Sequence, residues 1–432
     1  MGTASHRSPK RILLIADANF LAHMSRLVEI AKVLKRAGHE VIVAGDGEFM
    51  FLPREEGIAT DSVFTVARER TLELAERAGL VGYRWWRDTI YRSIRSDIEC
   101  IERNAPDVVV GDMHWTLSAS CRVTNVPYVS VTNGLWTNYS SAPLSAIAGH
   151  FSTKLLGEKL AGRILPAMKK WFGAYWALPY RQFQKEHNLT GRFNNLFDIV
   201  EGNLTLLADI PEYAPTKDLP PTMHYTGPIL WNPKLPDPEW LARLDPRRPT
   251  LYFTMGSSGN PEFFREAIAR FGNTHYQIIM TTGGFYTGNG APPKNVFIAR
   301  FANGLRLMEK SDIVINHGGN GTIYQAIAAG KPVIGIPTHV DQDINLQRVE
   351  SLKFGLRVPP GRHAGRKLVE AIETILTCDS FRHKAQELQS CVLKYNGPVR
   401  AGQLIEKLLY ALEKQKGPRM AARRPALREA TG

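Results

Sequence analysis

Apolar residues along this chain fall into two forms that alternate: short unbroken aliphatic runs, and longer stretches whose apolar positions recur with helical spacing. RILLIA (Arg11 to Ala16) reads as a short buried strand, Met24 to Ala37 as a helix that Gly38 ends, and VIVAG as a second strand. A strand, helix, strand order with short joints predicts a parallel sheet. Parallel neighbours need a crossover, the helix supplies it, and strands covered on both faces carry no polar alternation. The pattern returns at DVVVGD (Asp107 to Asp112), a helical stretch near Thr116 to Thr124, and PYVSV, so one α/β domain reaches at least Val131.

Between Pro211 and Pro249 proline recurs every few residues, a density that marks a linker. Beyond it the rhythm restarts: TLYFTM, a helix near Glu262 to Arg270, YQIIM, NVFIA, a helix near Leu305 to Lys310, DIVIN, a helix from about Thr322, and PVIGI. The expected division is a first domain over 1–210, a linker over 211–249, a second parallel-sheet domain over 250–400, and a terminal helix and tail over 401–432. The last helix, about Ala401 to Lys414, follows the second domain and has the reach to cross back onto the first.

Size agrees with this division. A chain of 432 residues exceeds one ordinary core and suits two, which leaves a cleft between them. The balance of 54 Lys+Arg against 41 Asp+Glu gives +13, a charge that attracts nucleic acid, an acidic membrane surface or a nucleoside diphosphate without choosing among them. Part of it is local: Lys414 to Gly432 carries six basic residues and one acid, Glu429, and reads as a disordered, solvated end. Cys100, Cys121, Cys378 and Cys391 lie far apart with no metal or redox spacing, which fits a reducing cytoplasm. The start MGTASHRSPKR leads into no signal-type apolar run, and no stretch of about 18 apolar residues occurs, so a soluble protein is expected. The segment from Ser152 to Tyr180, with Trp171, Phe172, Tyr175 and Trp176 beside Lys169 and Lys170, fits an acceptor lid, a peripheral membrane contact or a helix packed on its own domain.

The strongest chemical signal is INHGGNGTIYQAIAAGKPVIGIPTHVDQDIN, Ile315 to Asn345: a strand, a glycine-rich turn, a helix, a strand and a polar loop. It reads as a diphosphate cradle. Gly318, Gly319 and Gly321 let backbone approach a ligand, Thr322 adds a hydroxyl, His317 adds a proton donor, and the helix start presents free N–H groups to an anion. Other phosphate motifs fit worse. G-x-G-x-x-G from Gly319 meets Tyr324 where its third glycine belongs, and Gly330-Lys331 is followed by Pro332, so no Walker A exists.

These residues carry a resemblance. HGGNGT, then GKPVIGIP, then DQDIN is similar to the donor signature of family 1 glycosyltransferases, the group of antibiotic, macrolide, sterol and plant secondary-product enzymes. NVFIARFANGLRLMEKSDIVI resembles that family's approach to the histidine, FTMGSSG (Phe253 to Gly259) its domain-opening strand and loop, and YTGPI (Tyr225 to Ile229) its linker. AHMSRLVEIAKVLKRAGHEV resembles its N-terminal opening, with the same 16-residue step from His23 to His39. The resemblance is weakest from about Pro53 to Asn104 and Ser140 to Thr205.

It implies the GT-B fold: two Rossmann-like parallel-sheet domains facing a cleft, acceptor on the N-terminal side and nucleotide sugar on the C-terminal side. His317, Gly319, Asn320, Gly321 and Thr322 would hold the diphosphate with the Ser257 loop, and Phe301 would stack on the nucleobase. Asp341 and Gln342 would accept and donate hydrogen bonds to sugar hydroxyls. Departures from the plant pattern, Phe301 for Trp, Gly304 for Gln and Gln325 for Glu, leave base and ribose contacts open; UDP and dTDP sugars lead as donors. The catalytic base implied is His23, with Asp112 at the end of its strand as orienting carboxylate. His114 and Asp17 are competitors, while His39, after the helix-ending Gly38, reads as structural. Asp341-x-Asp343 also spells a metal-binding D-x-D, but here it follows a cradle that can neutralise a leaving group without metal, so neither metal nor other cofactor is expected. The function implied is inverting transfer of a sugar to a hydroxyl of a small apolar or aromatic acceptor such as a secondary metabolite, with no nucleic-acid partner. A GT-B epimerase, a lipid-acceptor transferase and an inactive binding protein are the alternatives.

Overall fold

The computed structural model describes residues 8–76, 82–143, 145, 160, 171, 173–191, 193–256, 261–284, 291–361 and 363–416. Two parallel sheets carry the chain. The first comprises β1 (Arg11–Ala16), β2 (Glu40–Ala44), β3 (Ala59–Asp61), β4 (Val108–Asp112), β5 (Tyr128–Thr132), β6 (Leu204–Leu207) and β7 (Met223–Tyr225), in the order β3-β2-β1-β4-β5-β6-β7. The second comprises β8 (Thr250–Thr254), β9 (Gln277–Thr281), β10 (Val296–Ala299), β11 (Ile313–Asn316), β12 (Val333–Gly335) and β13 (Gly355–Arg357), in the order β10-β9-β8-β11-β12-β13.

The unbroken aliphatic runs are explained by double coverage. Ile12 to Ala16 and Val108 to Val110 are fully buried, with alternate residues entering cores on opposite faces of the first sheet: Ile12 and Leu14 on one side, Leu13 and Ile15 on the other. In each sheet the winding starts at a central strand, proceeds to one edge, then returns to the centre and runs the other way. The reversal falls between β1 and β4 in one sheet and between β8 and β11 in the other. At such a switch point the loops after two neighbouring strands diverge and leave a crevice at the strands' C-terminal ends.

The sheets are joined by more than a tether. Met223–Tyr225, inside the proline-rich stretch, pairs with β6 as the seventh strand. The helix Gly397–Lys416 crosses back from the second sheet onto the helix Leu21–Arg36. Ala401, Leu404, Ile405 and Leu409 enter the same core as Leu27, Ile30 and Leu34. Gly402 permits the approach: a Cβ there would stand 2.8 Å from Val33 Cγ1. Polar contacts fix the register, with Glu413 paired to Lys10 and Glu406 3.4 Å from His39 Nε2. His39 Nδ1 accepts from the Lys10 N–H at 3.2 Å, so this histidine is structural.

The described part of Ser152 to Tyr180 is mixed. Trp176 packs on Trp86 with ring centroids 4.3 Å apart and accepts the Trp86 indole N–H on its carbonyl, and Tyr180 is fully buried, whereas Trp171 is exposed. Most of the segment, including Lys169 and Lys170, and the tail 417–432 lie outside the described residues. No helix among the described residues is long and apolar enough to cross a membrane.

The crossing helix should therefore be part of the first domain's stability. Ile405→Ala, which opens a cavity at a fully buried position, is expected to cost about 2–5 kcal/mol in denaturant unfolding, against little change for the exposed Gln403→Ala. Equal midpoints for the two variants would mean that the helix is only laid on the surface.

Candidate active site

The first switch point brings one pair of side chains together. Asp112 is the last residue of β4 and lies in register with Ala16, the last of β1. After Ala16 the chain turns, Phe20 adopts an extended conformation (φ −123°, ψ 119°), and the helix Leu21–Arg36 begins. The helix starts earlier than the apolar spacing suggests, so His23 sits in its first turn rather than in the preceding loop. This fixes the ring direction. His23 Nδ1 lies 2.7 Å from Asp112 Oδ1, and Asp112 is completely buried. An ionised carboxylate only accepts, so Nδ1 carries the proton of this hydrogen bond and the lone pair of the neutral ring is on Nε2.

Three further residues at this end of the sheet escaped sequence reasoning. Arg26, one helical turn after His23, donates from Nη2 to Asp112 Oδ1 at 2.6 Å and from Nη1 to Asn133 Oδ1 at 3.1 Å. Asn133 follows β5. Its amide lies 3.3 Å from Asp209 Oδ2 and 3.3 Å from Asn320 Oδ1, on the other half of the molecule. Asp209, beyond β6, is completely buried and also accepts the Gly134 N–H at 2.6 Å. Burial pushes its carboxyl upward, against the pull of Gly134, Tyr324, Asn133 and the Arg26 charge. The signal was present in LTLLAD, which like DVVVGD is an aliphatic strand ending on aspartate.

The second switch point builds the opposite wall. Gly256, beyond β8, has φ +55°, and His317 directly follows β11. The His317 ring is wedged between glycines: a Cβ at Gly319 would be 2.7 Å from its Nε2 and one at Gly256 3.1 Å from its Cε1. Gly318 is doubly constrained, with φ +93° and a would-be Cβ 2.7 Å from the Gln342 carbonyl. Gly321 differs, since a Cβ there meets nothing within 4 Å. Burial, and secondarily the neighbouring His339, lower the His317 pKa to about 4. His317 is thus a neutral donor at physiological pH rather than a cation. The helix Asn320–Ala328 starts beside it, with Thr322 in its first turn.

Other predicted donor residues flank this wall. Asp341 and Gln342 occupy the first turn of the helix Val340–Ser351, after β12. Gln342 Oε1 accepts from Thr338 N at 2.9 Å and Thr338 Oγ1 at 2.8 Å, which leaves the amide N–H groups as its donors. The Asp341 carboxyl is raised by burial, opposed first by the neighbouring His339 and then by the N–H groups at the helix start. Asp343 is bound by Arg357 Nη1 at 2.9 Å and by Gln347 Nε2 at 2.9 Å. Phe301 is exposed, with the Arg300 guanidinium 5.6 Å from its ring centroid, and Gln325 Nε2 donates to the Trp231 carbonyl at 3.2 Å. Asn320 engages Asn133 and Asp209 of the first half. Ser257 lies outside the described residues.

Of the rival histidines and acids, His114 is buried and bonded through Nε2 to Asp97 at 3.0 Å. Burial lowers its pKa, but the Asp97 charge and hydrogen bond and the Asp17 charge outweigh this and raise it. Asp17 is raised by burial, opposed first by the Asn19 N–H, which donates to its Oδ1 at 2.9 Å. Trp86 is buried in the first domain, and Trp136 packs on Phe197 and the core beneath the second sheet.

Known proteins resemble this chain in sequence and in fold. The family described as erythromycin biosynthesis protein CIII-like, C-terminal domain, matches residues 265–408. The chain is 31% identical over 382 residues to a PGL/p-HBAD biosynthesis glycosyltransferase of Mycobacterium tuberculosis (strain ATCC 25177 / H37Ra), covering 88% of each. It is 29% identical over 390 residues to a PGL/p-HBAD biosynthesis rhamnosyltransferase of Mycobacterium bovis (strain BCG / Pasteur 1173P2), covering 90% of this chain and 85% of that one. The fold recurs in the kitacinnamycin glycotransferase (TM-score 0.69, 16% identity, 93% and 99% of the two chains). It recurs also in the spinosyn rhamnosyltransferase SpnG complexed with thymidine diphosphate (TM-score 0.64, 17% identity, 92% and 99%). Likeness in sequence along most of both chains, on two parallel sheets that oppose their switch points, establishes that this chain belongs to the GT-B glycosyltransferases related to the macrolide and antibiotic enzymes, and that it is a glycosyltransferase.

Proposed function

We propose that this enzyme transfers a hexosyl group, with a 6-deoxyhexose such as rhamnose as the leading candidate, from a thymidine or uridine diphosphate donor to a hydroxyl of a small apolar or aromatic acceptor, with inversion. The hydrogen bond from His23 Nδ1 to Asp112 Oδ1 carries the reading, because it leaves Nε2 as the basic atom of the ring. Nε2 takes the acceptor hydroxyl proton as the acceptor oxygen bonds to the anomeric carbon. The bond from that carbon to the diphosphate oxygen breaks on the opposite face, and Asp112 stabilises the imidazolium. The departing charge is met by the backbone N–H groups and dipole at the start of Asn320–Ala328 and by the neutral His317. Asp341 accepts from sugar hydroxyls and the Gln342 amide donates to them. The relative named a rhamnosyltransferase and the fold neighbour complexed with thymidine diphosphate support a deoxysugar on a thymidine nucleotide. A donor and acceptor panel read by mass spectrometry tests the substrates; a phenolic or macrolide-type acceptor glycosylated from dTDP-rhamnose is the expected product, and turnover confined to purine nucleotides would refute the donor class.

His23→Ala is expected to lower kcat by about 10²- to 10⁴-fold, the usual worth of a general base, while donor affinity, set by the other wall, changes little. Asp112→Asn, which keeps the shape and loses the charge, should fall between that variant and wild type. Near-normal turnover of folded His23→Ala with an unactivated hydroxyl acceptor would move the role to His114 or Asp17.

We expect activity to persist in EDTA, because Asp343 is spent on Arg357 and Gln347 and the cradle itself faces the leaving group. Complete loss, restored by magnesium or manganese, overturns this and revives the D-x-D pair. Gln342→Ala should raise the donor KM about tenfold, the worth of one good hydrogen bond, and leave free nucleoside diphosphate binding intact. Equal weakening of both ligands in calorimetry would show that Gln342 does not address the sugar.

A further inference from the structure

We propose that Arg26 is a positioning residue that sets how readily His23 takes and keeps a proton, by acting as the fixed counter-charge to the buried Asp112. The inference rests on the reading of His23 as the base. Asp112 Oδ1 is shared, accepting from His23 Nδ1 at 2.7 Å and from Arg26 Nη2 at 2.6 Å, and the same Nη2 stands 3.3 Å from His23 Nδ1. Asp112 Oδ2 is buried with no hydrogen-bond partner among the described residues, so the carboxylate's two charged partners converge on one oxygen. When the ring becomes an imidazolium, a positive charge forms beside a permanent one. Arg26 both neutralises the carboxylate that attracts the proton and repels the protonated ring. An Asp112 left to His23 alone would hold the proton more tightly and keep the ring occupied at higher pH.

Arg26 cannot swing aside to relieve this. It is buried, and its other arm is tied to Asn133 Oδ1 at 3.1 Å, whose amide is in turn held between Asp209 Oδ2 and Asn320 Oδ1. Among the described residues, the other acids near His23 are Asp17, from the turn after β1, and Asp341, from the opposite wall. Phe20 contributes an apolar edge, its ring centroid 6.2 Å from the imidazole. Both acids favour the imidazolium, so Arg26 is the nearby group that opposes it.

The test compares wild type, Arg26→Met, Asp112→Asn, the double variant and His23→Ala, with kcat/KM profiled from pH 5 to 9. Arg26→Met should move the acid limb upward by roughly one pH unit, so that activity at pH 6 falls about tenfold relative to the alkaline plateau. The same upward move should appear in the ¹⁵N titration of the His23 ring without substrates, which a packing defect alone leaves in place. Asp112→Asn strands the guanidinium beside the ring. Removing Arg26 as well should restore turnover about tenfold over Asp112→Asn, a positive coupling between two individually harmful changes. The double variant also removes both members of the buried pair, so it decides the matter alone if Arg26→Met does not fold. An unmoved acid limb and ring titration in folded Arg26→Met, or a double variant no faster than Asp112→Asn, overturns the role of Arg26 and leaves the base reading standing. Wild-type turnover in His23→Ala overturns both.

Discussion

A carboxylate at the end of a strand buried on both faces has to find a positive or hydrogen-bonding partner, and the organisation of this cleft follows from that requirement at Asp112 and Asp209. Neither has exposed surface, and removing the partner of a buried charge costs far more than the pair itself contributes. The helix after β1 answers for Asp112 with two side chains one turn apart, His23 and Arg26. The side-chain amide of Asn133 and the backbone amide of Gly134 answer for Asp209. Orientation of the proposed base is a by-product of satisfying these charges. So is the contact with Asn320, through which the first half touches the start of the helix that faces the proposed diphosphate.

The two walls use different physics. The N-terminal wall is made of polar and charged side chains, His23, Asp112, Arg26 and Asn133, linked by direct hydrogen bonds. The C-terminal wall relies on close approach: glycines at 256, 318 and 319 let a histidine ring and backbone lie where any Cβ would collide, and the ring is neutral because it is buried. A neutral donor and helix-end N–H groups can follow a change in phosphate charge without themselves exchanging protons with solvent. In the proposed mechanism, proton transfer belongs to one wall and leaving-group stabilisation to the other. Asp341, its carboxyl raised by burial, lies in the first turn of the helix after β12.

The crossing helix Gly397–Lys416 gives this division a structural frame. It belongs to the second half by sequence and to the core of the first by packing, against the very helix that carries His23 and Arg26. The contact runs through Leu404, Ile405 and the close approach of Gly402 to Val33.

Aliphatic runs and helical spacing alone specified two parallel sheets, because double burial removes the polar alternation that other sheets keep, and most strands lie within a residue or so of their runs. The glycine-histidine turn was also legible, since its neighbours in sequence are its neighbours in space, whereas Asp112 and Asp341 were singled out through the family resemblance. Strand order was not. Nothing local says that β4 returns beside β1, and only that return brings Asp112 to His23, 89 positions away. Met223–Tyr225 was hidden for a related reason, as three residues among prolines carry no periodicity. Arg26 and Asn133 carry no local mark of the site, and Asp209 only that of an aliphatic run ending on aspartate. What made them partners was the stacking of four strand ends at one edge of one sheet, which brings together charges that the chain itself keeps far apart.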